Sequence, residues 1–77
     1  MSVKVKLLAS LADRFGRSEV ELQYVDGMTV RDAWDGATHG APLAMNTLSA
    51  VNFEYCALPT VLKPGDEVAF FPPVTGG

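Results

Sequence analysis

The chain has 77 residues, of which 48% are hydrophobic and 19% charged, with a formal net charge of −3. This composition is that of one small globular domain over residues 1–77 and excludes a disordered acidic tail. The acidic balance disfavours nucleic acid as a partner, because nucleic-acid binding needs a face rich in lysine and arginine. Without a bilayer-spanning apolar run or a signal peptide, a cytoplasmic protein that does not bind membranes is expected.

The chain has one cysteine, Cys56, and one histidine, His39. A single cysteine cannot form an internal disulfide, and these two side chains are too few for a zinc or iron–sulfur site. We therefore expect no metal and no cofactor bound by this chain, which leaves an interaction or carrier role. Cys56 is interpreted as a small core residue rather than a sulfur relay.

The start of the chain predicts a strand followed by a short helix. Apolar and lysine residues alternate over 3–7 with the period of a half-buried strand, so Lys4 and Lys6 face outward. Apolar residues at helical spacing follow over 8–15, and Gly16 suits the end of that helix.

A second strand is predicted over 19–24, with Glu19 and Glu21 facing outward. If it pairs antiparallel with the first strand, these glutamates face Lys4 and Lys6. Each such cross-strand pair contributes about 0.2–1 kcal/mol.

A second helix is predicted over 30–38. Thr29 is typical of a helix N-cap, and Asp32 lies near the positive end of the helix dipole. Helical spacing buries four apolar residues: Val30, Ala33, Trp34 and Ala37. The next segment, 39–47, has no clear pattern and has room for one more helical turn.

The second half of the chain predicts short strands. One covers 48–52, and 53–55 either extends it or turns. A type II turn over 63–66 leads into the last strand, 67–71, which directs Phe71 outward. The outline β-α-β-α-β-β-β is that of an α+β domain with a mixed sheet packed against helices.

The segment 71–77 is predicted to be an extended functional tail. Pro72 and Pro73 end the strand and stiffen its exit, since neither can donate a ladder hydrogen bond. The six residues after Phe71, at about 3.3 Å each, reach roughly 20 Å, which is enough to enter a cleft on another protein. Gly76 and Gly77 lack a Cβ, so this flexible pair fits a narrow channel.

The carboxyl group of Gly77 is the candidate reactive group. It is ionised at pH 7, and a carboxylate is a poor electrophile. It must first be activated, for example as a mixed anhydride with AMP, before it accepts sulfur as a thiocarboxylate. The sequence holds no Walker-type loop, so the activation must come from a partner.

Three segments carry a resemblance to a known family. The densest, 65–77, reads Gly-Asp-Glu-Val-Ala-Phe-Phe-Pro-Pro-Val-Thr-Gly-Gly, and it is accompanied by 50–55 and 5–16. Together they resemble the ubiquitin-like sulfur carriers, and most closely the MoaD family, the small subunits of molybdopterin synthase. Ala33 and Trp34 depart from the family, in which a pair of leucines is expected.

The resemblance implies a ubiquitin-like β-grasp fold and a sulfur carrier of molybdenum cofactor biosynthesis, non-catalytic on its own. An E1-like adenylyltransferase would use ATP to adenylate Gly77, and a sulfurtransferase would supply the sulfur. The carrier would then dock on the large, MoaE-like synthase subunit in a heterotetramer. There its thiocarboxylate would donate sulfur for the molybdopterin dithiolene.

The resemblance also assigns roles to the residues of the tail. Gly77 would carry the thiocarboxylate, and Gly76 would be the narrow spacer. The residues that would line the insertion channel are Pro72, Pro73, Val74 and Thr75. Phe71 would lie in the apolar subunit interface.

Three alternatives remain open. The chain could be a sulfur carrier of another pathway, such as thiamine thiazole synthesis, although those carriers usually lack the Phe-Phe-Pro-Pro approach. It could be a ubiquitin-like modifier that forms isopeptide bonds with lysines. It could also be a β-grasp binding module with an inert, frayed terminus.

Overall fold

The computed structural model describes residues 1–73. These residues form five strands and two helices in the predicted order β-α-β-α-β-β-β. The elements are β1 (Ser2–Leu7), α1 (Ser10–Phe15), β2 (Glu19–Gln23), α2 (Val30–Thr38), β3 (Leu48–Val51), β4 (Glu54–Tyr55) and β5 (Glu67–Phe71).

The five strands form one mixed sheet in the order β2-β1-β5-β3-β4. The central pair, β1 and β5, is parallel, and the other neighbours are antiparallel. The first strand of the described chain therefore pairs with the last, and the α+β class predicted from the sequence is confirmed. Because β5 is central, its end is held on both sides by neighbouring strands.

The core lies between the helices and one face of the sheet, and Trp34 is at its centre. The Trp34 ring is fully buried between Phe15 and Phe70, with centroid distances of 5.6 and 5.1 Å and near-perpendicular planes. Its indole Nε1–H donates to the carbonyl oxygen of Ala41 at 2.8 Å. The predicted burial of Trp34 is thus confirmed, and the hydrogen bond ties the segment after α2 to the core.

Helix α1 begins later than its apolar spacing predicts. Leu8 does not join the helix, because the backbone turns at Ala9, whose φ is +53°. The Leu8 N–H still donates to the carbonyl oxygen of Phe70 at 3.0 Å, which keeps Leu8 beside β5 at the end of β1, where it is 40% exposed. The predicted end at Gly16 is confirmed, with φ +70° and its N–H bonded to Ala12.

Helix α2 has the predicted N-terminal cap. The Thr29 hydroxyl accepts from the Asp32 N–H at 3.2 Å, and the Asp32 carboxylate accepts from the Thr29 N–H at 2.9 Å. This reciprocal pair is a capping box. The helix ends at His39, with φ +57°. The helical turn allowed for in 39–47 is not observed; instead the Thr47 N–H closes a reverse turn on Ala44 at 3.0 Å.

The opposite face of the sheet carries the predicted pairs of charges. Lys4 lies opposite Glu21, and Lys6 opposite Glu19, in the antiparallel register of β1 and β2. The ion pairs do not join these directly opposite residues. Lys4 pairs with Glu19 of β2, two residues along the strand from Glu21, at 3.9 Å, and Lys6 pairs with Glu67 of the other neighbouring strand, β5, at 3.8 Å. These exposed pairs contribute little stability, about 0–1 kcal/mol each, but they make the β2–β1 half of this face polar.

Candidate functional site

The last strand begins at a tight turn over 63–66. The Asp66 N–H donates to the carbonyl oxygen of Lys63 at 3.1 Å, and Gly65 has a φ of +87°. A positive φ at this position is what a type II turn requires, so the predicted turn is confirmed. The Asp66 carboxylate also accepts from the Lys63 N–H at 2.8 Å. The entry into β5 is therefore fixed by backbone and side-chain bonds.

Strict alternation along β5 sorts its side chains onto two faces. Val68 and Phe70 are fully buried, whereas Glu67, Ala69 and Phe71 lie half-buried on the outer face. The predicted outward direction of Phe71 is confirmed. The residue that begins the predicted tail segment is thus an aromatic side chain on the solvent side of the sheet.

The outer face of the sheet contains a groove of about 350 Å³ around Phe71. We call it the apolar groove. It is lined by Lys6, Leu8, Ala50, Phe53, Tyr55, Glu67, Ala69 and Phe71. Six of these eight residues are apolar or aromatic, and the Lys6–Glu67 ion pair provides the two charges. The outer face of the sheet therefore has a polar half over β2 and β1 and an apolar half at the groove.

Three large side chains on the groove are open to solvent. Phe53 is 92% exposed, Tyr55 is 76% exposed, and Leu8 is 40% exposed. The Tyr55 ring packs against the Phe71 ring, with centroids 5.9 Å apart and planes tilted by 51°. Exposed aromatic clusters of this kind mark interaction sites on small proteins. The arrangement is suited to docking a partner protein.

The hairpin between β3 and β4 carries Phe53 into this groove. Its two loop residues, Asn52 and Phe53, have φ values of +49° and +71°. Two positive φ values are the mark of a type I′ hairpin turn, which favours Asn followed by Gly. A bulky residue in this region of backbone space costs on the order of 1–3 kcal/mol. The sequence left open whether this segment extends or turns, and the structure shows that it turns.

Asn52 fixes that turn against the start of β5. Its side-chain nitrogen Nδ2 donates to Asp66 Oδ1 at 3.0 Å, and its Oδ1 accepts from the Glu67 N–H at 3.0 Å. Its own N–H donates to the Glu67 carbonyl oxygen at 2.8 Å. The two turns of this end of the molecule thus form one bonded unit.

The root of the tail leaves directly from the groove. Pro72 and Pro73 follow Phe71 and are half-buried. The other predicted site residues, Val74, Thr75, Gly76 and Gly77, lie outside the described residues. The structure therefore brings the predicted interface residue Phe71 together with the predicted channel-lining prolines. Leu8, Phe53 and Tyr55 are groove residues that the sequence did not indicate.

Cys56 lies apart from the apolar groove, just beyond β4. It is half-buried, and its Sγ lies 3.6 Å from the Ser49 hydroxyl, which itself donates to the Cys56 carbonyl oxygen at 3.0 Å. Within residues 1–73, no group of three His, Cys, Asp or Glu side chains is placed to hold a metal ion. No helix among the same residues is long and apolar enough to cross a membrane.

A family model described as the ThiS family matches residues 5–77. The molybdopterin synthase sulfur carrier subunit of Haemophilus influenzae is 57% identical over 30 residues. That alignment spans 39% of this chain and 37% of the relative, so the chain matches little more than a third of that curated protein's length.

Solved structures match over nearly the whole chain. SAMP1 from Haloferax volcanii is 34% identical with a TM-score of 0.82, and the match covers 100% of both chains. A protein provisionally assigned as molybdopterin converting factor subunit 1, from Pyrococcus furiosus, is 30% identical with a TM-score of 0.78. That match covers 96% of this chain and 99% of the other.

A more distant likeness concerns the fold alone. Urm1 from Trypanosoma brucei is 18% identical, with a TM-score of 0.73 and coverage of 99% of this chain and 95% of that one. Together with the mixed five-strand sheet and its two helices, these structures identify the architecture as a ubiquitin-like β-grasp.

Proposed function

The chain belongs to the ThiS family of ubiquitin-like sulfur carriers, and from this premise we propose that it is the sulfur carrier subunit of a molybdopterin synthase. Gly77 holds the transferable sulfur as a thiocarboxylate. The molybdopterin assignment is supported by the 57% identity over 30 residues to a sulfur carrier subunit of that enzyme, and by the likeness to a protein provisionally assigned as a molybdopterin converting factor subunit.

One observation carries the proposal: the tail leaves the fold from the apolar groove. Phe71 is both the last residue of β5 and a wall of the groove, and Pro72 and Pro73 follow it at once. A partner that covers the groove is therefore brought against the root of the tail. Docking and insertion of the tail are therefore coupled by position.

The chemistry at Gly77 proceeds by activation and displacement. A carboxylate oxygen attacks the α-phosphorus of ATP, pyrophosphate leaves, and an acyl adenylate forms. Sulfur supplied at the oxidation level of sulfide then attacks the carbonyl carbon. AMP leaves with the former carboxylate oxygen, and the product is the thiocarboxylate. No electrons are gained or lost by the glycine carbonyl, so the chain itself needs no redox group.

The partners divide this work between them. An E1-like adenylyltransferase binds ATP, and a sulfurtransferase supplies the sulfur. The large synthase subunit binds the pterin and receives the tail. The thiocarboxylate sulfur bonds to the pterin, water hydrolyses the acyl–sulfur bond, and Gly77 returns to a carboxylate while the sulfur stays in the growing dithiolene. Two carriers on a dimer of large subunits make a heterotetramer. The chain described here supplies the docking surface and the reactive carbonyl, and it is not catalytic alone.

A second candidate function has its own support. SAMP1 from Haloferax volcanii matches this chain over its full length. A second structure from that organism gives the full name, small archaeal modifier protein 1. A protein modifier uses the same activated terminal carbonyl, but the attacking group is a lysine amine and the product is an isopeptide. The same docking surface and tail serve either chemistry. The two functions therefore differ in the acceptor, which is a pterin for the sulfur carrier and a lysine side chain for the modifier.

The test is to purify the chain from its native host under mild conditions and identify what accompanies it. The proposal predicts a stable complex with a molybdopterin synthase large subunit. It also predicts that deletion of Gly76 and Gly77 abolishes sulfur transfer by the reconstituted complex. Recovery of Gly77 joined to lysine side chains, with no synthase subunit, would instead establish the modifier. A large subunit from thiazole synthesis would assign the carrier to that pathway.

A further inference from the structure

Phe53 occupies a position at which an aromatic residue does not stabilise the domain. Its φ of +71° lies in the left-handed region, which glycine adopts freely and phenylalanine does not. Its side chain is 92% exposed, so burial within the domain does not offset the backbone strain. The residue type therefore needs an explanation outside the folded monomer.

The turn that carries Phe53 is held firmly in relation to the tail. The preceding residue, Asn52, makes three hydrogen bonds to Asp66 and Glu67. Because Glu67 and Phe71 belong to the same strand, the Phe53 backbone has a fixed position relative to the root of the tail. Because the backbone is already ordered, only the freedom of a two-torsion aromatic side chain is lost when a partner covers Phe53.

We propose that Phe53 is a binding anchor that inserts into an apolar pocket of the large synthase subunit, beside the surface that covers Phe71. This inference rests on the proposed function, which identifies the partner that receives the tail. Aromatic anchors of this kind dominate the binding free energy of protein interfaces once they are desolvated. The next residue, Glu54, is exposed, so a lysine or arginine at the rim of that pocket complements it.

An anchor role predicts opposite effects on stability and on binding. Phe53→Gly relieves the positive-φ strain and removes an exposed ring, so the melting temperature stays equal or rises by a few degrees. The same substitution weakens binding of the large subunit by about 10-fold or more. Phe53→Tyr keeps the ring and binds within about threefold of the wild type. A merely structural residue would lower both quantities together.

The experiment titrates the wild type, Phe53→Gly, Phe53→Tyr and Phe71→Asp against the purified molybdopterin synthase large subunit of the same organism. Thermal melts of each free protein accompany the titrations. Met45→Ala is the matched control, because Met45 is a fully exposed apolar side chain that does not line the groove. The expected result is a loss of affinity in Phe53→Gly without a loss of thermal stability, and no change in Met45→Ala.

Three results would overturn the anchor role while leaving the proposed function intact. In the first, Phe53→Gly binds within twofold of the wild type while Phe71→Asp binds poorly. In the second, Phe53→Gly loses affinity only in proportion to a lower melting temperature. In the third, self-association of the free chain disappears in Phe53→Gly, which would assign the anchor to a second copy. Failure of the wild type to bind the large subunit would overturn both proposals.

Discussion

The rings of Tyr55 and Phe71 lie 5.9 Å apart on the outer face of the sheet, although they belong to strands that are not neighbours. Tyr55 is in the edge strand β4, Phe71 ends the central strand β5, and β3 runs between them with the small residue Ala50 at its middle. Ala50 lies directly opposite Tyr55, and Leu48 directly opposite Phe71, so the two rings meet diagonally across β3. The contact creates an aromatic surface at the root of the tail.

Phe71→Asp should weaken assembly with the large subunit and leave the domain folded. The substitution puts a carboxylate into an apolar contact surface, where it would be buried without a partner. We expect affinity to fall by about 10-fold or more, measured by calorimetric titration. The control is Met45→Asp, which places the same charge on a side chain that is fully exposed away from the groove. If Phe71→Asp binds the large subunit with unchanged affinity, the groove is not part of the interface.

Phe70→Ala should destabilise the domain strongly, because Phe70 is fully buried against Trp34. Truncation of a buried phenylalanine costs about 3–5 kcal/mol, a large part of the roughly 4–11 kcal/mol expected for a domain of this size. The matched control is Phe53→Ala, whose side chain is exposed. There the free energy of unfolding should change by less than about 0.5 kcal/mol. Urea unfolding followed by Trp34 fluorescence measures both, and equal effects would contradict the assigned core.

Asn52→Ala should lower the stability of the hairpin end of the sheet. It removes the side-chain bonds to Asp66 and Glu67 and leaves an alanine at positive φ. We expect a loss of about 1–3 kcal/mol in the free energy of unfolding. Asn46→Ala, in the exposed turn before β3, is the control and should have no measurable effect. If both variants are equally stable, the turn is not held by Asn52.

Gly77→Ala, or one additional residue after Gly77, should sharply reduce sulfur transfer. A Cβ obstructs a channel built for glycine, and an extra residue moves the reactive carbonyl by about 3.3 Å. The measurement is single-turnover sulfur transfer with the large subunit, and the control carries one additional residue before Met1 instead. Normal turnover in either variant would argue against insertion of the tail into a narrow channel.

The secondary structure could be predicted because it follows local patterns. Alternation in β1 and β5, helical spacing around Trp34 and the Pro64-Gly65 turn each depend on residues close together in the chain. The outward direction of Phe71 follows from the same alternation. These local features are enough to predict the element order.

The groove could not be predicted because it is assembled from distant parts of the chain. Leu8 continues the helical spacing of α1, yet a backbone turn at Ala9 leaves it at the end of β1. Phe53 hides the hairpin turn from sequence analysis. The second position of such a turn favours glycine, whereas a phenylalanine is typical of a strand. The strand order brings Leu8, Phe53 and Tyr55 close to Phe71. The periodicity of the sequence predicts individual strands but not the order in which they pair.

The intact mass of the chain isolated from its native host, followed by fragmentation of the C-terminal peptide, tests the sulfur carrier function most directly. We predict a population heavier by the exchange of one oxygen for sulfur, with the added mass on Gly77. The same population should lose that mass after incubation with the large subunit and its pterin substrate. A chain that carries only an ordinary carboxylate at Gly77, in cells actively making molybdopterin, would contradict it.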